Sequence, residues 1–425
     1  MHFAIISPPV PGHLYPNGYI GLELVSRGHK VTVFNMPDTK NFIEKLGLNF
    51  IAVGETLFPA GSWNNKWNIA RTGSNLWRDT RILKEHIQLA SCMLEELPEL
   101  IKKLKVDAIL ADQLQPQAST LAELMNIPFA TLCSILPLHG DYSGRIPASF
   151  AWWQPKDTAF NRAINRLSHQ AVRLLAYGYL RMINNKRKAL KLVPLIHLEQ
   201  TFSTRLQIGV IPEAFDFARP AIKNYFSVGP TTIDRKEEPF SLIFSDEKPI
   251  VYVSFGTIRN KIDKLFRLVI KVAKKNPQWN FILTKGNWTG NAIVLEKYPE
   301  NVLAIEFAPQ LEILKKASCF ISHAGPGSVL ESIYHGVPIL ALPVSDDQPA
   351  VAARIKYHRL GIVHGWRGIT ANKIEQALSQ LIEDKSYRYR CCQMALEFKK
   401  SGGASYAADL IEKFFNAEKE ASSHK

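Results

Sequence analysis

A short apolar segment followed by a glycine-rich turn is the feature that most constrains the fold of this chain. The run from Cys319 to Ser322 has the length and hydropathy of a buried strand. A turn rich in glycine and proline, Ala324 to Ser328, follows and opens a helix that continues to Tyr334. The first amides of such a helix lack backbone acceptors, and its dipole favours an anion by roughly 0.3–1 kcal/mol. The segment therefore predicts a phosphate site, to which His323 and Ser328 can add donors.

The same alternation of strand and helix extends along the chain. Strands are predicted at 3–7, 30–34, 106–111, 250–255, 281–284, 304–307 and 339–342, with helices between them. This rhythm predicts parallel, doubly wound sheets, and 425 residues exceed one usual core. We expect an N-terminal domain over 1–227, a linker over 228–248 rich in charge and proline, a second domain over 249–402, and a final helix over 403–425.

Polar residues downstream decide between two interpretations of the turn. In an ordinary α/β crossover the glycines only let strand and helix pack closely. Such a turn needs neither the carboxylate of Glu331 nor the downstream pair Asp347-Gln348, and it needs no Gln310 before the strand. The ordered set therefore favours a ligand site.

This string of motifs resembles the family-1 (GT-B) UDP-glycosyltransferases, and most of all their bacterial branch that glucosylates zeaxanthin and other carotenoids. The signature comprises Ser322-His323-Ala324-Gly325 and the segment from Asp347 to Arg354. The resemblance implies a GT-B fold, in which two Rossmann-like, doubly wound domains face a cleft. It also implies that the last helix returns to the N-terminal domain.

The resemblance also implies roles for individual residues. Phe307 would stack on uracil, Gln310 and Glu331 would bind ribose hydroxyls, and Asp347 with Gln348 would bind the sugar. Two positions depart from the plant-like pattern, because Gly327 replaces an Asn and Pro326 a Trp. The full donor-binding set is Ser254, Gly256, Thr257, Phe307, Ala308, Gln310, His323, Gly325, Gly327, Ser328, Glu331, Asp347 and Gln348.

A histidine near the amino terminus is the candidate catalytic base. The loop from Pro8 to Pro16 lacks the G-x-G-x-x-G pattern of dinucleotide sites, but it places His13 at the junction with a helix predicted from about Asn17 to Arg27. We expect this environment to lower the pKa of His13 and keep the imidazole neutral. The context resembles the family's catalytic loop. Its expected partner is Asp112, at the end of a strand, where the alternative is a helix N-cap.

The resemblance implies an inverting transfer of a hexose, glucose in this family, from a UDP-sugar to a hydroxyl of an apolar acceptor such as the carotenoid zeaxanthin. Another aglycone (a macrolide, flavonoid or sterol) is the alternative acceptor. A GT-B sugar-nucleotide epimerase and a catalytically silent nucleotide-binding or nucleic-acid-binding protein are the other classes. We expect no cofactor and no metal, because the chain has no Asp-x-Asp triplet.

Composition limits the possible partners and the cellular location of the protein. The formal charge of +14 calls for an anionic partner, but no RNA-binding motif accompanies it, so nucleic acid is not expected. The five cysteines show no C-x-x-C spacing, which argues against disulfides and zinc sites. We expect a cytoplasmic protein that can lie peripherally on the inner face of the cytoplasmic membrane.

Two features of the first half bear on the acceptor. Trp63, Trp67, Trp77, Trp152 and Trp153 either line an apolar pocket or belong to the core. A predicted amphipathic helix carries basic residues on one side and apolar ones on the other. Its basic side is expected to be solvated or to bind an anionic membrane surface, and the basic residues of this region are Arg162, Arg166, Arg173, Lys186, Arg187 and Lys188.

Overall fold

The computed structural model describes residues 1–63, 76–240, 244, 247–256, 263–284, 286 and 298–423. The chain forms two α/β domains, each built on a parallel sheet, as the sequence predicts. The central strands β1 (His2–Ile6) and β8 (Ile250–Ser254) are buried along their whole length. Their near-continuous apolar sequences suit strands that are covered by helices on both faces.

The N-terminal domain holds one sheet with helices on both sides. Its further strands are β2 (Lys30–Asn35), β3 (Asn49–Ala52), β4 (Ala108–Asp112), β5 (Phe129–Cys133), β6 (Gln207–Gly209) and β7 (Tyr225–Ser227). Its helices are α1 (Pro11–Ser26), α2 (Lys40–Leu46), α3 (Leu76–Leu104), α4 (Gln117–Met125) and α5 (Ala159–Ala189). Within the described residues, the strand order is β3-β2-β1-β4-β5-β6-β7 and every pairing is parallel.

The second domain repeats this plan. Its further strands are β9 (Asn280–Thr284), β10 (Val302–Ile305), β11 (Cys319–Ser322), β12 (Ile339–Ala341) and β13 (Gly361–Val363). Its helices are α6 (Asp263–Lys275), α7 (Gln310–Leu314), α8 (Pro326–Tyr334), α9 (Gln348–Tyr357), α10 (Ala371–Glu383) and α11 (Lys385–Lys400), and α12 (Gly403–Ser423) ends the described chain. The strand order is β10-β9-β8-β11-β12-β13 where the structure describes the sheet.

Each sheet has one point at which the direction of winding reverses. In the first sheet this point lies between β1 and β4, and in the second between β8 and β11. Open parallel sheets bind ligands in the crevice at such a point, beyond the carboxyl ends of the strands. His13 follows β1 and Asp112 ends β4, while Ser254 ends β8 and His323 follows β11. Both candidate clusters therefore occupy the positions that the topology favours.

Helix α1 begins earlier than the sequence predicts. The predicted start was Asn17, but the helix already begins at Pro11, and the amide of Leu14 donates to the carbonyl of Val10 at 2.9 Å. Proline suits the first helical position because its fixed φ matches the helix and its missing N–H has no acceptor there. His13 consequently lies in the first turn of a helix.

The terminal helix α12 packs on the N-terminal domain. Ala407, Ala408, Ile411 and Phe415 are fully buried in one cluster with Phe3. At the rim, Arg27 Nη1 donates to Asp409 at 2.6 Å and to Glu412 at 2.8 Å. The end of the chain thus ties the second domain to the first.

The segment between the domains is packed rather than loosely solvated in its described part. Val228 is fully buried and accepts a hydrogen bond from the amide of Gly403 at 2.7 Å. Thr231 Oγ1 donates to the carbonyl of Pro16 at 3.0 Å. The connection is thus bonded to the N-terminal domain and to the start of the terminal helix.

The orientation of helix α5 contradicts the sequence prediction. Its basic side faces the protein: Arg166 donates to the carbonyls of Tyr142 and Ser143, both at 3.2 Å, and Arg173 stacks over the Tyr142 ring at 4.2 Å. Arg187 is buried and pairs with Glu123 at 2.7 Å. Arg162 pairs with Asp157, Lys186 pairs with Glu95, and Lys188 is exposed. Pairing with a loop and with other helices turns the apolar side outward.

None of the helices in the described ranges combines the length and apolar character that crossing a bilayer requires.

A buried ion pair joins the domains. Arg354 of α9 is fully buried, and its Nε and Nη2 atoms lie 2.8 and 2.6 Å from Asp216 Oδ1 in the N-terminal domain. Arg219 also pairs with Asp216 at 2.6 Å, and the Arg354 guanidinium lies 4.1 Å from the Phe217 ring centroid. Burial by itself raises the pKa of Asp216, but attraction to Arg354 and Arg219 outweighs it and holds the pKa below 3.8.

Replacement of this carboxylate should destabilise the protein. Asp216→Asn leaves the buried guanidinium of Arg354 and the partly buried one of Arg219 without their counter-charge, so we expect a loss of about 3–5 kcal/mol in the free energy of unfolding at pH 7. The wild-type advantage should shrink as pH falls from 3.8 through the lower pKa of folded Asp216, because the carboxylate becomes protonated first in the unfolded and then in the folded state. Denaturant unfolding measures both effects.

Two further variants serve as controls. Glu397→Gln removes an exposed pair with Lys400 and should change stability by about 0–1 kcal/mol. The double variant Asp216→Asn/Arg354→Met should recover part of the loss, because the buried charge at position 354 is removed with its partner. Wild-type stability of Asp216→Asn alone would contradict the role of the pair.

Candidate active site

The structure brings His13 and Asp112 into direct contact. Asp112 Oδ2 lies 2.8 Å from His13 Nδ1, and both side chains are buried. The two residues are far apart in sequence, but β1 and β4 are neighbours, so their carboxyl ends lie side by side. The hydrogen bond at Nδ1 orients the ring and leaves Nε2 as the second nitrogen.

Further hydrogen bonds fix the carboxylate. Asp112 Oδ2 accepts from Asn17 Nδ2 at 3.0 Å and from Ser134 Oγ at 2.8 Å. Asp112 Oδ1 accepts from the amide of Leu114 at 2.9 Å. Asp112 is not the helix N-cap that the alternative required, since Pro116 occupies that position before α4. Asn17 and Ser134 were not identified from the sequence. Their positions after strands β1 and β5 were the only features that indicated a place near the site.

The predicted direction of the His13 pKa shift was wrong. Burial acts to lower the pKa, but the charge and hydrogen bond of Asp112, together with the charge of Asp347, outweigh burial and raise it above 6.5. The same interaction lowers the pKa of Asp112 despite its burial. The pair is thus polarised toward an imidazolium beside a carboxylate, which is the charge distribution that proton uptake by His13 creates.

The turn between β11 and α8 is shaped around His323. A Cβ at Gly325 would lie 2.5 Å from His323 Nε2, and one at Gly256 would lie 2.7 Å from it, so both positions require glycine. Ala324 holds a φ of 64°, a left-handed conformation that costs a non-glycine residue energy and clusters at functional sites. Burial lowers the pKa of His323 to about 4, so this ring is neutral at pH 7.

Glu331 lies in a network that includes residues the sequence did not indicate. Its carboxylate accepts from Thr232 Oγ1 at 2.7 Å, Gln310 Nε2 at 2.6 Å and both terminal nitrogens of Arg235. Arg235 also pairs with Glu237, which accepts from the amide of Leu311 at 2.7 Å. The connection between the domains therefore supplies part of this site. The cluster of charged residues in this segment was the only feature of the sequence that indicated it.

The loop before α9 places Asp347 opposite His13. Gln348 Oε1 accepts from the amides of Val344 at 2.9 Å and Ser345 at 3.1 Å, and Asp346 adopts a φ of 59°. Burial and the charge of Asp346 raise the pKa of Asp347 to about 6, and the charge of His13 opposes this shift. The charges of Asp347 and His13 therefore act on each other across the gap between the domains.

The remaining predicted donor residues lie along the same edge of the second domain. Phe307 projects a ring that is 60% exposed, and Ala308 packs partly buried against the core. Ser328 Oγ accepts from Gln310 Nε2 at 3.3 Å, whereas Gly327 is exposed. Thr257 lies outside the described residues.

The predicted acceptor tryptophans whose side chains the structure describes do not form one cluster. Trp63 is buried in the core, whereas Trp152 is 73% exposed and Trp153 Nε1 donates to Asn165 at 2.8 Å. Trp67 and the side chain of Trp77 lie outside the description. A residue that sequence reasoning missed is His86 of α3, whose pKa is lowered to about 4 by burial and by the nearby charge of His13.

Comparison with known proteins identifies the family. The model of the UDP-glucoronosyl and UDP-glucosyl transferase family matches residues 17–397. This chain belongs to that family. It is a glycosyltransferase enzyme of the UDP-dependent class, and the sequence prediction of this class is confirmed.

Relatives of this glycosyltransferase match it over nearly the full length. It is 28% identical to zeaxanthin glucosyltransferase of Pantoea ananas over 416 residues, which is 97% of this chain and 95% of the relative. It is 26% identical to NDP-glycosyltransferase YjiC of Bacillus subtilis (strain 168) over 416 residues, which is 97% of each.

Solved structures confirm the GT-B fold. The kitacinnamycin glycotransferase superposes with a TM-score of 0.75 at 21% identity, covering 97% of this chain and 98% of that one. Glycosyltransferase VinC, solved in complex with DTDP, gives a TM-score of 0.72 at 16% identity, covering 98% and 100%. At these identities the likeness concerns the architecture.

The His13–Asp112 contact predicts a pH effect on activity. A base must be neutral to accept a proton, so kcat/KM should fall as pH drops through the raised pKa of His13, above 6.5. Asp112→Asn removes the attraction that raises this pKa, so the acid limb should move to lower pH while the maximal rate falls. Asp157→Asn, which removes an exposed aspartate, is the control. An acid limb at the same pH in wild type and Asp112→Asn would contradict the coupling.

Proposed function

We propose that this enzyme transfers a hexose, glucose in the favoured case, from a UDP-sugar to a hydroxyl of an apolar acceptor of the carotenoid type, with inversion. The observation that carries the proposal is the pairing of His13 with Asp112 opposite Asp347. One cluster has the features of a base and the other those of a donor grip, and they belong to different domains. A reaction that joins two substrates needs such an arrangement.

In the proposed mechanism His13 Nε2 accepts the proton of the acceptor hydroxyl. The acceptor oxygen attacks the anomeric carbon as the bond to the diphosphate oxygen breaks, so an α-linked donor yields a β-glycoside. Asp112 holds Nδ1 and stabilises the imidazolium that forms. General base catalysis of this kind supplies about 10²–10⁴ in rate.

The leaving diphosphate is proposed to bind at the start of α8. The first amides of α8, at Gly327 and Ser328, have no acceptor within the helix, and neutral His323 lies beside the N-cap Gly325. Ser254 at the end of β8 and Gly256 after it would add donors from the neighbouring strand end. Well-aimed donors in a dry site contribute about 2.7–4 kcal/mol each to the transition state. On this basis we propose that no metal ion is required, and retention of activity in excess chelator is the expected result.

On the family resemblance, we assign the binding of the nucleoside and of the sugar to the other residues on this edge of the second domain. Phe307 offers an exposed face on which uracil can stack, and Gln310 with Glu331 lies one helix turn away from the phosphate site. Arg235 fixes the Glu331 carboxylate, so we propose that the ribose hydroxyls meet this network as a unit. Asp347 and Gln348 would bind the hexose hydroxyls.

The acceptor assignment rests on relatives. Two of them are named zeaxanthin glucosyltransferases, and they match 97% of this chain at 28% and 27% identity. Another is named oleandomycin glycosyltransferase and matches 97% of the chain at 26% identity, so a macrolide is the second candidate. We favour the carotenoid, and with it a place for the enzyme at the inner face of the cytoplasmic membrane.

The base assignment is tested by removing the imidazole. His13→Ala should lower kcat by about 10²–10⁴ and leave donor KM nearly unchanged, because His13 contacts the acceptor rather than the nucleotide. His197→Ala, at an exposed position, is the matched control. Steady-state kinetics with a saturating acceptor measure both constants. Wild-type turnover in His13→Ala would refute the assignment.

The substrates are tested by mass spectrometry of products from UDP-glucose and zeaxanthin, with a macrolide, a flavonoid and a sterol as alternatives. We expect a mass increase of one or two glucosyl groups on zeaxanthin. Donor alone should remain the same sugar, whereas a change of the sugar without acceptor would indicate an epimerase. Glycosylation of only the macrolide would overturn the carotenoid assignment and retain the enzyme class.

A further inference from the structure

Helix α5 presents an apolar stripe to solvent. Phe160 is 75% exposed, Leu167 67% and Leu174 76%. These residues are seven apart, so they lie on one side of the helix, each about 10 Å further along it. Leu175 and Tyr177 widen the stripe. Isolated apolar residues are common on surfaces, but a row on one helix face marks an interaction site.

The stripe continues into basic residues in the same register. Arg181 follows Leu174 by seven positions and Lys188 follows Arg181 by seven, and both are exposed. The helix sequence holds seven Lys and Arg residues and no Asp or Glu. The exposed side therefore combines aromatic and aliphatic groups at its start with positive charge at its end.

The apolar end of α5 lies at the junction of the two domains. Just before the helix, Gln154 Nε2 donates to the carbonyl of Ala353 in α9 at 3.3 Å. Trp152, beside it, is 73% exposed. Helix α9 begins at Gln348, directly after Asp347, so the segment that leads into the stripe contacts the helix that follows the proposed sugar site.

We infer that this face binds an anionic lipid surface and holds the mouth of the interdomain site against the bilayer. Apolar groups that enter the headgroup boundary, flanked by Lys and Arg, are the combination that interfacial helices use. The charge selects lipid over a second copy of the chain, because α5 itself carries no Asp or Glu and two copies of it placed face to face would bring like charges together. The delivery of a lipid-dissolved acceptor rests on the proposed function, whereas the binding does not.

Flotation with vesicles tests the binding. At low salt, wild type should float with vesicles of equal parts phosphatidylcholine and phosphatidylglycerol and much less with phosphatidylcholine alone. Phe160→Ser/Leu167→Ser/Leu174→Ser should weaken partitioning at least about 100-fold. Arg181→Gln/Lys188→Gln should weaken it about 30-fold, at about fivefold for each charge. Tyr389→Ser/Leu396→Ser, at exposed sites on α11, is the control and should bind as wild type.

Three results would overturn the inference: no flotation of wild type, equal flotation on both lipids, or an unchanged triple variant. A wild-type dimer that the triple variant converts to a monomer, without vesicle binding, would assign the face to self-association instead. Circular dichroism and thermal unfolding confirm that each variant is folded.

Activity assays separate this inference from the proposed function. The triple variant should glycosylate an acceptor in detergent as fast as wild type and lose rate on the same acceptor held in anionic vesicles. Equal rates on vesicle-held acceptor would contradict delivery through this face. Failure of wild type to glycosylate any acceptor would refute the proposed function and leave the flotation result intact.

Discussion

The buried ion pair between Arg354 and Asp216 is the contact on which the arrangement of the site depends. Each domain can form its own sheet, and each sheet has its own crevice, but neither crevice alone holds both clusters. Arg354 lies in the helix that Asp347 precedes, so the pair fixes this helix against the N-terminal domain. Together with α12 and the packed connection, it keeps Asp347 within electrostatic reach of His13.

Local features of the fold were predictable because they depend on neighbours in sequence. The strand at Cys319–Ser322, its glycine turn and the helix after it follow from hydropathy and backbone freedom. The approach of His13 to Asp112 was predicted from a resemblance and from parallel strand ends, and their hydrogen bond is present. The direction of the His13 pKa shift was not predicted correctly. It depends on whether attraction to Asp112 or burial of the ring has the larger effect, and this depends on the folded structure.

The error about α5 and the missed role of Arg235 share a cause. A helical wheel for α5 separates two faces but does not show which one meets the protein, and the partners that decide it, Tyr142, Glu95 and Glu123, belong to distant segments. Arg235 likewise gains its role only when the connection folds over Glu331. The late predicted start of α1 was a local error. Proline was taken as a loop residue, although it suits the first helical position, and the helix begins at Pro11.

The central claim is that the imidazole and the diphosphate grip serve one reaction across the interdomain gap. A crystal structure with zeaxanthin and a non-transferable 2-fluoro analogue of UDP-glucose tests it most directly. The account predicts the β-phosphate at the start of α8, the hexose beside Asp347, and the acceptor hydroxyl between His13 Nε2 and the anomeric carbon. A hexose whose anomeric carbon faces away from His13, with no space for a hydroxyl between them, would contradict it.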